Sequence, residues 1–265
     1  MLETKSITRI VRVMGYGMSC PIHIVADDNK DYILKTKIAK LDDDDNLQIS
    51  AKELFTEIFS YLYLRVLGVS YIPKFCLLEV VDETLNLAQK FANGDDRDKQ
   101  ALQNLTHSKG LNLGVAYIEN ANKLNLTNFA QDFIKNTINY DARLMNTDRD
   151  SSNPNILQDL SGKKWLIDFG IAFDTLALFD NLISQSSLFN NPNEIYFDKC
   201  CFSTYIFNEN VRRSTAFVQK ALPLEIINDI TNYVCAIVPL LDNDAKQCLS
   251  QIIAQRQSSK RIFCA

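Results

Sequence analysis

NTDRDSSNPNIL (residues 146–157) and, shortly after it, WLIDFG (residues 165–170) are the segments that most restrict what this chain can be. In them, Asn153 follows Asp148 by five positions, and Asp168 directly follows a short apolar run. The intervening residues, with Gly162 in a turn, are just sufficient for a hairpin. Such a hairpin would return Asp168 to the side of Asn153, so the spacing predicts that the three polar side chains share one site.

The D-x-x-x-x-N spacing of Asp148 and Asn153 is typical of kinase catalytic loops. There the aspartate is the base near the acceptor hydroxyl, the asparagine binds Mg²⁺, and a DFG aspartate such as Asp168 supplies a second metal-binding carboxylate. Taken singly, such residues usually hold turns through side-chain-to-backbone hydrogen bonds. Their ordered combination is more specific, and it predicts a phosphotransferase that uses ATP and Mg²⁺.

Lys35 and Glu57 lie upstream, at the places where a kinase mechanism needs a cation and its partner. Lys35 ends an apolar strand at residues 32–34, as the phosphate-binding lysine does in the V-A-I-K element, and Glu57 lies in the next predicted helix. Lys37 has the same strand parity as Lys35, and Glu53 lies one helical turn from Glu57. Both alternatives stay open at this point.

GYGMS, residues 15–19, is a candidate phosphate-binding turn. Its backbone N–H groups, including that of Gly17, and the Ser19 hydroxyl could face nucleotide phosphates. The segment is not a G-x-G-x-x-G loop, so a plain turn is the alternative interpretation.

The order of the remaining elements indicates an α+β protein, because strands dominate the first part and helices the second. The acidic run 42–45 is predicted to be a solvated loop, Ser50 to cap a helix that Gly68 ends, and Thr127 to cap another. Residues 82–109 are predicted to form a surface helix or insertion. Further strands are predicted at 7–13, 21–25, 71–81 and 115–118, and the part after residue 171 is predicted to be largely helical, most clearly at 222–241 with Pro223 near the start.

Composition narrows the class of protein. A net charge of −4 argues against a dedicated nucleic-acid binder, which usually needs a basic face. The seven cysteines show neither paired C-x-x-C spacing nor a nearby histidine cluster, and they are interpreted as reduced thiols. Neither a leader-like apolar segment nor a membrane-spanning run is evident, so we expect a soluble, cytoplasmic protein that does not bind membranes.

With these residues assembled, the chain resembles the HipA-like kinase family, particularly its compact stand-alone branch. The resemblance extends from about residue 14 to about residue 173 and reaches the C-terminal third in helical character only. The matching segments are GMS at 17–19 with Pro21, the YILK strand at 32–35, Glu57 with Leu67-Gly68 and Pro73, SKGLNLGVAYIEN at 108–120, and the two segments quoted first.

This resemblance implies a protein-kinase-like two-lobed fold that transfers phosphate from Mg·ATP to a Ser or Thr hydroxyl of a protein substrate. The N-terminal lobe (residues 1–119) would be mainly β and carry the phosphate loop, the lysine strand and the glutamate helix. The C-terminal lobe (residues 120–265) would be mainly helical and carry the catalytic loop and DFG. Some family members are toxins, so an antitoxin-like partner is possible. By position, Asp148 would be the base, Asn153 and Asp168 metal ligands, Lys35 the phosphate lysine, Glu57 its partner, and Gly17 and Ser19 part of the nucleotide-covering loop.

The chain departs from ordinary protein kinases in its catalytic loop. Asn146 stands at the histidine position of H-R-D, Asp150 replaces the usual basic residue, and no A-P-E segment follows DFG. A small-molecule phosphotransferase is the second enzyme hypothesis, since those folds also place asparagine five residues after the base. A nucleotide-binding regulatory module without turnover is the third, and the intact Asp148, Asn153 and Asp168 argue against it.

Overall fold

The computed structural model describes residues 1–15, 19–37, 44–123, 129–150, 153–173 and 221–258, with the backbone alone at residues 44–50. The chain divides into two compact units. Unit 1 consists of Met1–Phe55 and Pro73–Glu119, and unit 2 of Thr56–Ile72 and Asn120–Ala265. Residues 56–72, which the sequence-based division places in the N-terminal lobe, thus group with unit 2. The assignment of the units as kinase lobes stays a prediction.

Unit 1 is built on a closed five-stranded barrel in the order β1-β2-β3-β5-β4. All neighbouring strands are antiparallel except β1 and β4, which pair in parallel. Inward-facing apolar side chains such as Ile10, Ile24, Leu34 and Leu78 fill the barrel. The strands are β1 (Thr4–Val13), β2 (Ile22–Ala26), β3 (Asp31–Lys35), β4 (Phe75–Val80) and β5 (Gly110–Ala116).

The predicted strands of unit 1 are present, but some of them begin or end at other residues than predicted. The polar cluster after Ala26 forms the expected hairpin turn, in which the Ala26 N–H donates to the Lys30 carbonyl at 3.0 Å and Asn29 takes a φ of 59°. β4 begins only at Phe75, after Pro73, which has no N–H to offer a ladder. β5 starts at Gly110, earlier than predicted, because it pairs with β4 along that strand's whole length.

An insertion between β4 and β5 contains α2 (Asp82–Ala88), a 3₁₀ turn (Gln89–Asn93) and α3 (Asp96–His107), as residues 82–109 were predicted to do. Three of its side chains donate to backbone carbonyls of the β1–β2 hairpin. Lys90 Nζ lies 2.5 Å from the Ile10 oxygen, Arg97 Nη2 2.9 Å from that of Met14, and Asn104 Nδ2 3.4 Å from that of Ser19. The insertion therefore anchors both flanks of the candidate phosphate loop.

Helix α1 (Asp44–Leu67) crosses from unit 1 into unit 2 and ends at Gly68, whose φ of +84° gives the expected left-handed stop. The prediction that Ser50 caps this helix is wrong. α1 begins six residues earlier, inside the acidic run, because carboxylates in a first turn interact favourably with the positive end of the helix dipole. The loop prediction for residues 42–45 is thus wrong for Asp44 and Asp45, and Asp42 and Asp43 lie outside the described residues.

Unit 2 combines helices with a small antiparallel sheet in the order β6-β7-β8. The predicted hairpin before Asp168 is confirmed as β7–β8, with Gly162 at a φ of +84° in its turn. The predicted helix at 222–241 is present as α5 but is shorter at both ends, with Pro223 at its N-cap and Val238 at its C-cap. The elements are β6 (Asn122–Lys123), α4 (Gln131–Leu144), β7 (Ile156–Gln158), β8 (Lys164–Leu166), α5 (Leu224–Ile237) and α6 (Asn243–Ser258).

Two predictions for unit 2 concern residues that lie outside the described ranges. Thr127 lies outside them, and α4 begins at Gln131 with Ala130 at its N-cap, so the cap prediction is corrected. The helical prediction for residues 174–220 also lies outside them. Among the helices that are described, none has the length and apolar character needed to cross a bilayer.

Candidate active site

The chain enters the candidate catalytic loop, residues 146–155, through a sharp turn at the end of α4. Met145 has a left-handed φ of 49°, after which the Asn146 N–H donates to the Asp141 carbonyl at 2.9 Å. The Asn146 side-chain amide donates to the Asp141 carboxylate at 3.0 Å, and its oxygen accepts the Asp148 N–H at 3.4 Å. Asn146, at the position of the kinase histidine, therefore links the helix end to the backbone of Asp148.

Arg149 is the centre of the loop's hydrogen bonding. Its Nε donates to Asp141 Oδ2 at 2.8 Å, and its Nη1 donates to the carbonyls of Pro154 at 3.0 Å and Asn155 at 2.6 Å. Its Nη2 donates to the Ile167 carbonyl at 3.3 Å. One guanidinium thus joins α4, the far end of the loop and the residue that precedes Asp168.

The Asp141–Arg149 ion pair is fully enclosed, with side-chain exposures of 1% and 0%. Burial raises the pKa of Asp141, while the charge of Arg149 and the hydrogen bonds from Asn146 and Arg149 oppose that rise. Removal of one member of such a pair leaves an uncompensated buried charge, which is strongly destabilising. Sequence reasoning missed both residues. The available signal was that Asp141 falls on the apolar stripe of α4, at helical spacing from Ile134 and Ile138.

Asp148 is oriented by Asn155, a residue that sequence reasoning also missed. Asn155 Nδ2 donates to Asp148 Oδ2 at 3.0 Å, and the Asn155 carbonyl accepts the Ile167 N–H at 3.0 Å. Asn155 itself is buried and takes a left-handed φ of 47°, a conformation that asparagine tolerates better than most residues. The bond to Asp148 holds one carboxylate oxygen in a fixed place beside the hairpin.

Asp168 is close enough to Asp148 to affect the ionisation of Asp148. Burial raises the pKa of Asp148, the negative charge of Asp168 raises it further, and the hydrogen bond from Asn155 lowers it. Asp168 therefore lies in the electrostatic neighbourhood of Asp148, whereas its predicted place beside Asn153 stays a prediction.

Contacts of the two residues that follow Asp168 hold the DFG segment in place. The Phe169 ring is buried, edge-on to Tyr61 at 5.2 Å between centroids and 5.1 Å from the Arg149 guanidinium carbon. The Gly170 carbonyl accepts a 2.5 Å hydrogen bond from Thr56 Oγ1 of α1. Asp168 has a φ of 61°, an uncommon left-handed value for a non-glycine residue, held by these flanking contacts.

Asn153 lies on the open side of the loop. Its N–H donates to Asp150 Oδ1 at 2.8 Å, a local turn that sets its direction. Its side-chain oxygen accepts a 3.0 Å hydrogen bond from Lys123 Nζ of β6. The amide oxygen assigned to the metal is thus oriented and already attracts a cation.

These residues fit a divalent cation. The Asp168 carboxylate and the Asn153 amide oxygen are hard oxygen donors of the kind that Mg²⁺ prefers, and a bound cation would also relieve the repulsion between Asp168 and Asp148. Within the described ranges no group of three or more His, Cys, Asp and Glu could hold a metal.

The nucleotide residues predicted in unit 1 are placed as follows. Lys35 lies on β3 with the opposite parity to the core residues Tyr32 and Leu34, so it points away from the barrel interior. Its rival Lys37 lies beyond the strand, where Nζ donates to the Lys109 carbonyl at 2.9 Å and burial lowers the pKa of the ammonium. The role of either lysine at a phosphate stays a prediction.

The other residues predicted to act on the nucleotide lie in unit 1, in unit 2 or outside the described residues. Glu57 is buried on the unit 2 part of α1, whereas its rival Glu53 is half-buried on the unit 1 part. A buried carboxylate needs polar or cationic partners, so burial favours Glu57. Ser19 lies after β1, with its carbonyl bonded to Asn104, and Gly17 lies outside the described residues. The pair Lys35–Glu57 would join different units and stays a prediction.

Neither a protein-family model nor a curated protein matches the chain. Two solved structures of the Golgi casein kinase are distantly similar to it. The one with Mn/ADP bound has 12% identity and a TM-score of 0.45, with 97% of this chain and 73% of that chain covered. The other has 13% identity and a TM-score of 0.46, with 97% and 71% covered. Scores below 0.5 do not establish a common fold, so a kinase function must rest on the residues described above.

Proposed function

We propose that this protein is a phosphotransferase that uses Mg·ATP, with Asp148 as the base and Asn153 and Asp168 as metal ligands. The observation that carries the proposal is the way Arg149 binds together α4, the catalytic loop and the residue before Asp168. The negative charge of Asp168, which raises the pKa of Asp148, supports a shared site for the two carboxylates. A structural turn would not need two carboxylates that interact electrostatically.

The chemistry follows from the surroundings of Asp148. Its pKa is raised, so the carboxylate has an increased affinity for a proton, as a general base requires. Asn155 donates a hydrogen bond to Oδ2 of Asp148. Oδ1 of Asp148 would then accept the proton of the acceptor hydroxyl. When bound, Mg²⁺ would neutralise the charge on the transferring phosphate, and Asn153 and Asp168 would hold it.

On the nucleotide side, Lys35 would contact the phosphates of ATP and Glu57 would position Lys35. Ser19 and Gly17 would cover the phosphates from the β1–β2 connection. The outward parity of Lys35, the burial of Glu57 and the anchoring of the Ser19 flank by Asn104 support these roles.

We further propose that the acceptor is a protein Ser or Thr hydroxyl and that the protein is a HipA-like kinase acting in the cytoplasm. This part of the proposal rests on the sequence resemblance over residues 14–173. An antitoxin-like protein is the partner that the same resemblance suggests. A small-molecule acceptor is the alternative that the experiment below distinguishes.

The test is transfer of labelled γ-phosphate from ATP by the purified protein, alone and in a lysate of the source organism, with Asp148→Asn as the inactive control. Label in protein that withstands acid precipitation, and is absent with the control, would support a protein kinase. Label in a small acid-soluble product would support the alternative. Absence of any transfer, together with absence of nucleotide-dependent stabilisation, would contradict the phosphotransferase proposal.

A further inference from the structure

Lys123 is brought to the candidate active site by the small sheet of unit 2. It lies on β6 and pairs with Leu157 of β7, the strand that directly follows the catalytic loop. Its ammonium is solvent-exposed and 3.0 Å from the side-chain oxygen of Asn153. The strand register therefore holds a positive charge on the amide oxygen assigned to the metal.

The side-chain oxygen of Asn153 cannot bind the Lys123 ammonium and a metal ion at the same time. An ammonium at hydrogen-bond distance and a divalent cation on one amide oxygen would repel each other strongly. Binding of Mg²⁺ to Asn153 must therefore displace the Lys123 ammonium. A lysine side chain has a long flexible stem, so the displaced ammonium can move while its backbone stays in the sheet.

The charges around the loop indicate where that ammonium would go. Asp150 occupies the position at which ordinary kinase loops carry a basic residue, and its carboxylate is bonded to the Asn153 N–H. Arg149 cannot replace that cation, because its guanidinium is enclosed and bonded to Asp141 and backbone carbonyls. Lys123 supplies an exposed positive charge at this edge from a different part of the chain.

We propose that Lys123 occupies the Asn153 amide oxygen in the empty site, is displaced when Mg·ATP binds, and then pairs with the terminal phosphate of the nucleotide. The proposal rests on the proposed function and adds a residue to it. In the empty state the lysine opposes binding of Mg²⁺ alone, and in the loaded state it favours ATP over ADP. Removal of its charge should therefore change these two properties in opposite directions.

The test compares wild type with Lys123→Met, which keeps most of the side-chain length without the charge. Lys123→Arg keeps the charge, and Lys163→Met is a matched control, because Lys163 is also exposed and its ammonium lies over the Trp165 ring on the β7–β8 hairpin. The readout is the melting temperature during titration with Mg²⁺ alone, Mg·ADP and Mg·ATP. No turnover is required.

Lys123→Met should be stabilised by Mg²⁺ alone at a several-fold lower concentration than wild type. Its preference for Mg·ATP over Mg·ADP should fall by about tenfold, the size expected from one lost charge-assisted contact. Lys123→Arg should retain most of the preference, and Lys163→Met should match wild type in both titrations.

Wild-type behaviour of Lys123→Met in both titrations would overturn the inference. Weaker binding of Mg²⁺ alone by this variant would also overturn it, because the lysine would then support the metal site. If Mg·ATP does not stabilise wild type, the proposed function fails, and this inference fails with it. If Mg·ATP stabilises wild type but Lys123→Met behaves like wild type in both titrations, only the role of Lys123 is rejected and the proposed function stands.

Discussion

Arg149 and Asp141 form an ion pair of 2.8 Å from which solvent is almost wholly excluded. The pair lies between the last turn of α4 and the catalytic loop, and the same guanidinium reaches the carbonyl of Ile167, next to Asp168. The relative placement of Asp148 and Asp168 thus depends on one arginine that would touch neither nucleotide nor acceptor. Arg149 is accordingly a positioning residue for the proposed chemistry.

Replacement of Arg149 should cost much of the protein's stability. Arg149→Met should lower the free energy of unfolding by about 3–5 kcal/mol, because Asp141 is left as a buried charge without its partner. The double variant Asp141→Asn/Arg149→Met should recover part of that loss, since the amide is neutral and can still accept from Asn146. Chemical denaturation of both, with Lys163→Met as an exposed charge-loss control, would measure this. Equal stability of Arg149→Met and wild type would contradict the network.

Loss of the Asp148 charge should stabilise the protein. Its pKa is raised in the folded state by burial and by Asp168, so the ionised carboxylate destabilises the fold increasingly as pH rises through that pKa. Asp148→Asn should therefore have a higher free energy of unfolding than wild type at pH 7, with the Asn155 hydrogen bond kept. The difference should disappear below the ordinary aspartate pKa of 3.8. Denaturation at several pH values checks both the sign and the window.

Lys35→Ala should strongly reduce kcat/KM for phosphate transfer while the fold survives, because a lysine directed away from the barrel core contributes charge instead of packing. Lys37→Ala should have a much smaller effect on transfer, since its ammonium is bonded to the Lys109 carbonyl. Steady-state kinetics and circular dichroism of the two variants would compare them. Wild-type turnover in Lys35→Ala would show that Lys35 is not the phosphate-binding lysine.

Glu57→Ala should reduce kcat/KM less than Lys35→Ala, because the glutamate acts by holding the lysine. Glu53→Ala is the matched variant one helical turn away. Since Glu57 is buried, the melting temperature of each variant must be measured beside its kinetics. A larger kinetic loss in Glu53→Ala than in Glu57→Ala would show that the assignment is wrong by one turn.

The sequence predicted those features that depend on short-range spacing. The hairpin from Ile156 to Leu166, which precedes Asp168, follows from two apolar runs separated by a glycine turn. The hairpin after Ala26 and the stop of α1 at Gly68 follow from polar-turn and glycine signals in the same way.

What the sequence did not show depends on which polar groups of different segments come into contact. Three such contacts join different segments of the chain: Asp141–Arg149, Lys123–Asn153 and Arg97–Met14. Hydrophobic periodicity carries no information on which polar groups meet. The start of α1 was misplaced for another reason. An aspartate run suits both a solvated loop and a helix N-terminus, and a serine six residues later was a competing cap signal.

The central claim is that Asp168 binds the metal that carries the nucleotide, whereas Asp148 acts on the acceptor. The most direct measurement is the melting shift caused by ATP, with and without Mg²⁺, for wild type, Asp148→Asn and Asp168→Asn, each relative to its own unliganded state. A ligand at about 100 times its Kd adds roughly 2.7 kcal/mol of stability, which is readily seen. We predict large Mg·ATP shifts for wild type and Asp148→Asn, a much smaller one for Asp168→Asn, and phosphate transfer by wild type alone. Equal shifts in all three proteins would contradict the metal assignment, and full transfer by Asp148→Asn would contradict the base assignment.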